Sequence, residues 1–194
     1  KTVQTISYLP HFVSTVVVVG MLANFLSPVG GIVNLMIEKL GGESINFMIK
    51  PEWFRSLYIM SGIWQGAGWG SIIYLAALSG IDTQLYEASI VDGANKWKQL
   101  WHISIPGILP TIIIMLIMNL GHILSIGYEK IILMYNSATY ETADVINTYV
   151  YRRGIVSGEY SFGTAVGLFQ SAINFIFIIA ANRISRRVTE VSLW

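Results

Sequence analysis

Four stretches of the chain are apolar over a length that could carry a helix across a bilayer, which takes ~20 residues. They are residues 5–26 (TISYLPHFVSTVVVVGMLANFL), 54–78, 108–126 (ILPTIIIMLIMNLGHILSI) and 162–181 (FGTAVGLFQSAINFIFIIAA). The second starts wet and becomes apolar. β-branched runs at 16–19 and 112–114 would suggest strands in water, but their continuation over a full span favours helix. None of the four shows the period-two alternation of a membrane barrel. The pattern predicts an all-α polytopic membrane protein with four transmembrane helices.

Three connections separate the spans. Residues 27–53 are rich in Gly and Pro and hold a short amphipathic piece at 32–40. Residues 79–107 are polar with helical spacing, and 127–161 contain a further predicted helix at 141–153. Arg183, Arg186 and Arg187 crowd the tail, and a basic tail marks the cytoplasmic side. With an even number of spans, both visible ends and the connection 79–107 then lie inside, and 127–161 lies outside. Lys39, Lys50 and Arg55 in the first outer connection oppose this orientation, so the tail decides it.

Composition supports lipid as the solvent. The chain is 54% hydrophobic and 12% charged, against about 25% charged in soluble domains. A net charge of +1 gives no basic face for nucleic acid, and the absence of cysteine removes disulfides, thiolate nucleophiles and Cys-ligated zinc.

The connection 79–107 carries the most specific pattern. Glu87 to Asp92 reads as a short helix, Gly93 permits a sharp positive-φ turn, and an amphipathic stretch follows with Trp97, Leu100 and Trp101 on one side. Pro106 is expected to end that stretch and Pro110 to open the next span. Taken physically, this is either a functional docking element or a surface helix pair that merely joins two spans.

The same loop resembles the EAA signature of ABC-importer permeases, E-A-A-x-x-D-G-A, five free positions, then F-x-x-I-x-L-P. Glu87, Ala88, Asp92, Gly93, Ala94, Ile103 and Pro106 match at the family spacing; Ser89, Leu100 and Ile105 depart conservatively. Residues 8–10 resemble the segment that opens the permease core, and segments at 127–136, 140–151, 182–185 and 192–194 resemble the branch that handles complex oligosaccharides and polysaccharides, alginate among them. The resemblance covers the whole chain, residues 1–194. It implies the permease core of a type I ABC importer, four helices visible of an expected six, in the bacterial inner membrane. It implies a coupling loop at 79–107 and an extracytoplasmic loop at 127–161. Implied partners are ABC ATPase subunits, which would bind the ATP and Mg, a second related permease, an extracytoplasmic solute-binding protein and an oligosaccharide substrate. In the family the loop sits in a cleft of the ATPase; Glu87 is expected to pair with a basic group there, and Gly93 to form the turn.

Several other features have a plainer structural role beside a functional one. Gly62, Gly66 and Gly70 lie on one helix face, as close helix packing in lipid requires. No G-x-x-x-x-G-K-[ST] loop is present, so ATP hydrolysis is not expected of this chain, and no catalytic constellation or metal-ligand spacing stands out. Polar residues inside spans usually face a bundle interior. Of these, Asn119 with His122, and Gln65 with the aromatic face of Trp69, are the candidates for a sugar path; the plainer role is interhelical hydrogen bonding. The competing reading is a secondary transporter or channel without an ATPase. It would call for intramembrane acids or broken helices at the midplane, and no acid lies in the core of any span.

Overall fold

The computed structural model describes residues 2–124 and 127–189, and every regular element among them is helical. The last two residues of the predicted third span and the tail segment 192–194 lie outside these residues. The chain forms two compact units, Lys1–Trp69 with Ser125–Gly167, and Gly70–Leu124 with Leu168–Trp194.

In the first unit, the predicted span 5–26 is not one helix. α1 (Thr2–Tyr8) runs into a 3₁₀ turn (Leu9–Phe12), and α2 (Thr15–Phe25) restarts at an angle of 99°. Pro10 sits at the start of the 3₁₀ turn, Val13 is extended, and the Ser14 side chain caps α2 by accepting from Val17 N. A cap of this kind satisfies a donor that a helix start leaves open. Hydropathy alone runs through the break because both arms are apolar. The 11 residues of α2 rise only about 16 Å, short of the ~30 Å hydrocarbon thickness.

α3 (Ile32–Lys39) has an inverted face. Asn34 is 1% exposed, whereas Val29, Ile32, Met36 and Leu40 point outward. The reason is local. The Asn34 amide donates to the carbonyls of Leu26 (3.2 Å), Ser27 (2.9 Å) and Ile45 (2.9 Å), and its oxygen accepts from Ile45 N (2.8 Å). One side chain thereby closes the end of α2 against the following loop.

The core of this unit is Val19, Phe54, Ile131, Met134 and Ala143. It joins α2 and the start of α4 (Pro51–Ser79) to α8 (Tyr128–Met134) and α9 (Tyr140–Ala143). Asn136 Nδ2 donates to Met48 O (2.9 Å) and Thr142 Oγ1 to Pro51 O (3.0 Å), which binds the connections 27–53 and 127–161 together. The predicted helix at 141–153 is instead three pieces, α9, α10 (Ile146–Val150) and a π turn (Tyr151–Val156). The chain is extended at Asp144, whose carboxylate accepts from the Thr148 hydroxyl and both terminal nitrogens of Arg152. These side-chain bonds take the place of a continuous ladder.

Within this chain the glycine stripe Gly62, Gly66 and Gly70 makes little contact. A Cβ at Gly66 or Gly70 would meet no described atom within 4 Å. The close approach is at Gly68, where a Cβ would collide with the Ser7 backbone carbonyl.

The second unit holds α5 (Thr83–Val91), α6 (Lys96–Gln99), a π turn (Leu100–Ser104), α7 (Ile105–Leu120) and the later part of α11 (Tyr160–Thr189). Gly121 lies against Ile178, with 2.7 Å between a built Cβ and the Ile178 Cδ1. Lys96–Leu120 and Tyr160–Arg187 are long and apolar enough to cross a membrane; the bent pair at the start would be a third span if counted as one. α4 has the length, 29 residues, with a less apolar sequence.

Candidate functional site

The loop that matches the signature is built from two helix ends facing one another. Asp82 caps α5 by accepting from Gln84 N (2.9 Å). At the other end Asp92 is the last residue before Gly93, whose φ is 71°. Ala94 N reaches Ser89 O (2.9 Å) and Gly93 N reaches Ile90 O (3.0 Å), the pair of bonds of a Schellman cap. This requires a left-handed residue after the helix, and glycine takes that conformation without a Cβ clash. Asn95 then caps α6 by accepting from Lys98 N (2.9 Å).

Pro106 does not end the helix. Lys96–Leu120 is continuous, with Pro106 at the start of α7 directly after the π turn. A proline clashes with the carbonyl four residues back and donates no hydrogen bond. Widening the preceding turn to an i→i+5 pattern accommodates that defect without breaking the rod.

Four polar side chains bind α5 to this wide turn. Ser89 Oγ donates to Tyr86 O (2.7 Å) and accepts from Gln99 Nε2 (2.9 Å). Tyr86 Oη lies 2.9 Å from Ser104 Oγ, which approaches Gln99 O at 3.5 Å. Tyr86, Gln99 and Ser104 also line an open cleft of about 390 Å³ with Lys96, Trp97 and Leu100. The spacing of these four residues does not mark them as a group; their signal in the sequence is the hydroxyl at Ser89, where the signature has alanine.

The outward face of the loop is apolar with charges at its edge. Ile90, Val91, Trp97 and Trp101 are exposed, Val91 by 89% and Trp97 by 70%. Glu87, Ala88 and Asp92 are exposed beside them, Ala94 and Ile103 are half-buried, and Pro106 is exposed. Tryptophans this open are costly in water and are common anchors at protein interfaces.

The sugar-path candidates fall into separate settings. In the first unit, Gln65 Nε2 donates to Val13 O (2.8 Å), the carbonyl left open by the helix break. One face of Trp69 stacks on His11, with centroids 4.4 Å apart and planes 4° from parallel. Both residues brace the bend. In the second unit, Asn119 is exposed and its amide donates back to Met115 O (2.8 Å). His122 is exposed but lies past the end of α7, in the turn, so it does not share a helical face with Asn119.

The connection 127–161 holds the ion pairs among the described residues. Arg152 forks onto Asp144 (2.9 and 2.6 Å) and lies over the Tyr140 ring. The Arg152 guanidinium holds the Asp144 carboxyl below its ordinary range, and Asp144 in turn raises Arg152. Arg153 is raised by its bonds to Tyr149 and Glu159. Lys130 is 9% exposed on α8, with its ammonium 3.4 Å from Tyr58 O, and burial pushes it below the usual lysine range. Among the described residues no group of three or more His, Asp or Glu side chains is placed to hold a metal.

A family model described as "Binding-protein-dependent transport system inner membrane component" matches residues 2–190. The polygalacturonan/rhamnogalacturonan transport system permease protein YteP of Bacillus subtilis (strain 168) is 44% identical over 194 residues, covering 100% of this chain and 60% of its own length. Protein LplB of the same organism is 43% identical, with 100% of this chain and 61% of its own length covered. The chain thus spans about 60% of the length of these curated relatives. A crystal structure of a bacterial alginate ABC transporter, in complex with an alginate pentasaccharide-bound periplasmic protein, superposes with TM-score 0.95 at 48% identity. It covers 99% of this chain and 67% of the other.

Proposed function

Since the chain belongs to the binding-protein-dependent transport family of integral inner-membrane components, we propose that it is a permease subunit of an ATP-driven importer of oligosaccharides derived from complex polysaccharides. The family is one of transport rather than of enzymes. ATP and Mg belong to partner ATPase subunits, whose docking site is the loop at 79–107. A second, related permease completes the pathway, and an extracytoplasmic binding protein delivers the sugar to the outer connections. Both visible ends face the cytoplasm, as the arginines of α11 favour.

The observation that carries this reading is the Schellman-capped turn at Gly93. It displays Ile90, Val91, Trp97 and Trp101 outward on a rod that continues through α7. A surface helix pair that only joins two spans has no need of such a face. The relatives named for polygalacturonan/rhamnogalacturonan and alginate transport support a carbohydrate cargo. Asn119 and His122, both exposed, are the residues of the second unit that this reading assigns to its path.

The test is reconstitution of the full-length subunit with its partner permease, ATPase and binding protein in vesicles. ATP hydrolysis should rise when sugar-loaded binding protein is added, and labelled oligosaccharide should accumulate. Uptake that proceeds without ATP would overturn the assignment in favour of a secondary transporter.

A further inference from the structure

The coupling reading leaves one geometric question open, namely what stops the loop from flexing. α5 joins α6 through Gly93, which has no side chain to restrict its backbone and is held by the two bonds of its cap. A push received on α5 would bend such a joint before it moved a 25-residue rod. The structure contains a brace against that motion. Ser89 Oγ donates to Tyr86 O and accepts from Gln99 Nε2, while Tyr86 Oη meets Ser104 Oγ, which returns to Gln99 O. The contacts form a closed ring between α5 and the π turn. Ser104 is 9% exposed, and Tyr86, Ser89 and Gln99 are half-buried, so water competes weakly for these bonds.

The wide turn takes part in the same device. Its i→i+5 geometry brings Ser104 one position further round, where its hydroxyl reaches both the Tyr86 hydroxyl and the Gln99 carbonyl. A single brace would still allow rotation about its own line. Two braces, at Ser89–Gln99 and Tyr86–Ser104, fix the angle between α5 and the rod.

We propose that Ser89, Gln99, Tyr86 and Ser104 are positioning residues that make the coupling loop and α7 one rigid lever, so that displacement of α5 by a partner is transmitted to the membrane helix. This rests on the docking reading above. It also gives a role to Ser89, which the signature comparison alone treats as a neutral departure from alanine. Restoring the signature with Ser89→Ala should therefore impair this protein.

The experiment uses the full-length subunit assembled with its ATPase and partner permease in nanodiscs and vesicles. With any cysteine of the assembled complex outside residues 1–194 replaced by serine, Gln84→Cys and Leu116→Cys, both at exposed positions on α5 and α7, accept a pair of spin labels. The braced loop should give one narrow distance distribution without nucleotide, and the Ser89→Ala/Tyr86→Phe double variant a broad one. Sugar transported per ATP hydrolysed should fall about threefold to tenfold for each brace lost, the range of one partly buried neutral hydrogen bond. Ser89→Thr keeps the hydroxyl and should retain coupling, and Ser79→Ala, which removes only a local bond to Ala76 O, serves as a control. A distribution as narrow in the double variant as in the parent would overturn the proposal, as would undiminished coupling or a Ser89→Thr variant as impaired as Ser89→Ala. The docking reading is tested separately by ATPase capture, which Gly93→Asp should abolish and Ser89→Ala should preserve. The distance measurement stands whichever way that result falls.

Discussion

Replacing Asn34 should destabilise the first unit more than any other single change in the connections 27–53 and 127–161. Its side chain is 1% exposed and serves four backbone groups, the carbonyls of Leu26, Ser27 and Ile45 and the N–H of Ile45, at 2.8 to 3.2 Å. An unsatisfied buried polar group costs about 1–3 kcal/mol, but two amide hydrogens shared among three carbonyls do not count as three full bonds. The groups at Ser27 and Ile45 are also partly reached by solvent. For Asn34→Ala we therefore expect a loss of about 2–4 kcal/mol, near the upper end for a point substitution. In a chain of this size that corresponds to a fall in Tm of roughly 5–12 °C. The assay is thermal unfolding of the detergent-purified protein, followed by fluorescence of a probe in the connection 27–53. Ser44→Ala, which removes one exposed bond to Pro28 O, should shift Tm little. Asn34→Asp is the sharper variant, since it keeps the shape but turns a carboxylate toward three carbonyl oxygens and should be worse than alanine. Equal stability of Asn34→Asp and the parent would refute the assigned amide orientation and the whole argument.

Three further outcomes follow from named contacts. Gly68→Ala should lower the yield of folded protein in the membrane, because its methyl meets the Ser7 carbonyl, whereas Gly66→Ala and Gly70→Ala should be neutral by the same fluorescence-detected chromatography. The Asp144–Arg152 pair should contribute stability above the ordinary carboxylate value of 3.8 and lose it as pH falls through the depressed folded value; the difference in melting between parent and Asp144→Asn should thus be flat over about pH 5 to 8 and collapse in stronger acid. Asn119→Leu removes only a bond within its own helix, so assembly and basal ATPase activity should survive; an unchanged sugar concentration for half-maximal ATPase stimulation would remove Asn119 from the path.

Hydrophobic length alone made the helical class and the approximate positions of the long helices legible, and the Gly93 turn was legible because glycine at a helix end has one dominant use. The break at Val13 was also signalled, by Pro10 and by Ser14 three residues before Val17, but the apolar residues on both sides outweighed those signals. Pro106 misled for the opposite reason. Proline predicts a helix end unless the turn before it can widen; here it does, and its last residue, Ser104, meets Tyr86 from another helix. Asn34 was invisible because a polar residue on a short amphipathic helix normally faces water; its burial is decided by carbonyls that only the fold brings near. The small-residue stripe showed a period without showing which glycine meets a neighbour, and Gly68 lies off that stripe.

A π turn contains one residue more than an α turn, so Leu100–Ser104 acts as a phase setting within an otherwise regular rod. Everything beyond it is rotated by about 100° relative to an unbroken α-helix begun at Lys96. The buried side of α7, marked by Ile108, Ile113 and Ile117, and the outward side of Trp97 are thus aligned by a residue count as well as by residue identity. Deleting one position in the turn could leave two well-formed helices and still aim the tryptophans at the wrong compass bearing. The spacing between Gly93 and Pro106 accordingly encodes an angle, and a length change of one residue there is a different kind of mutation from any substitution at the same place.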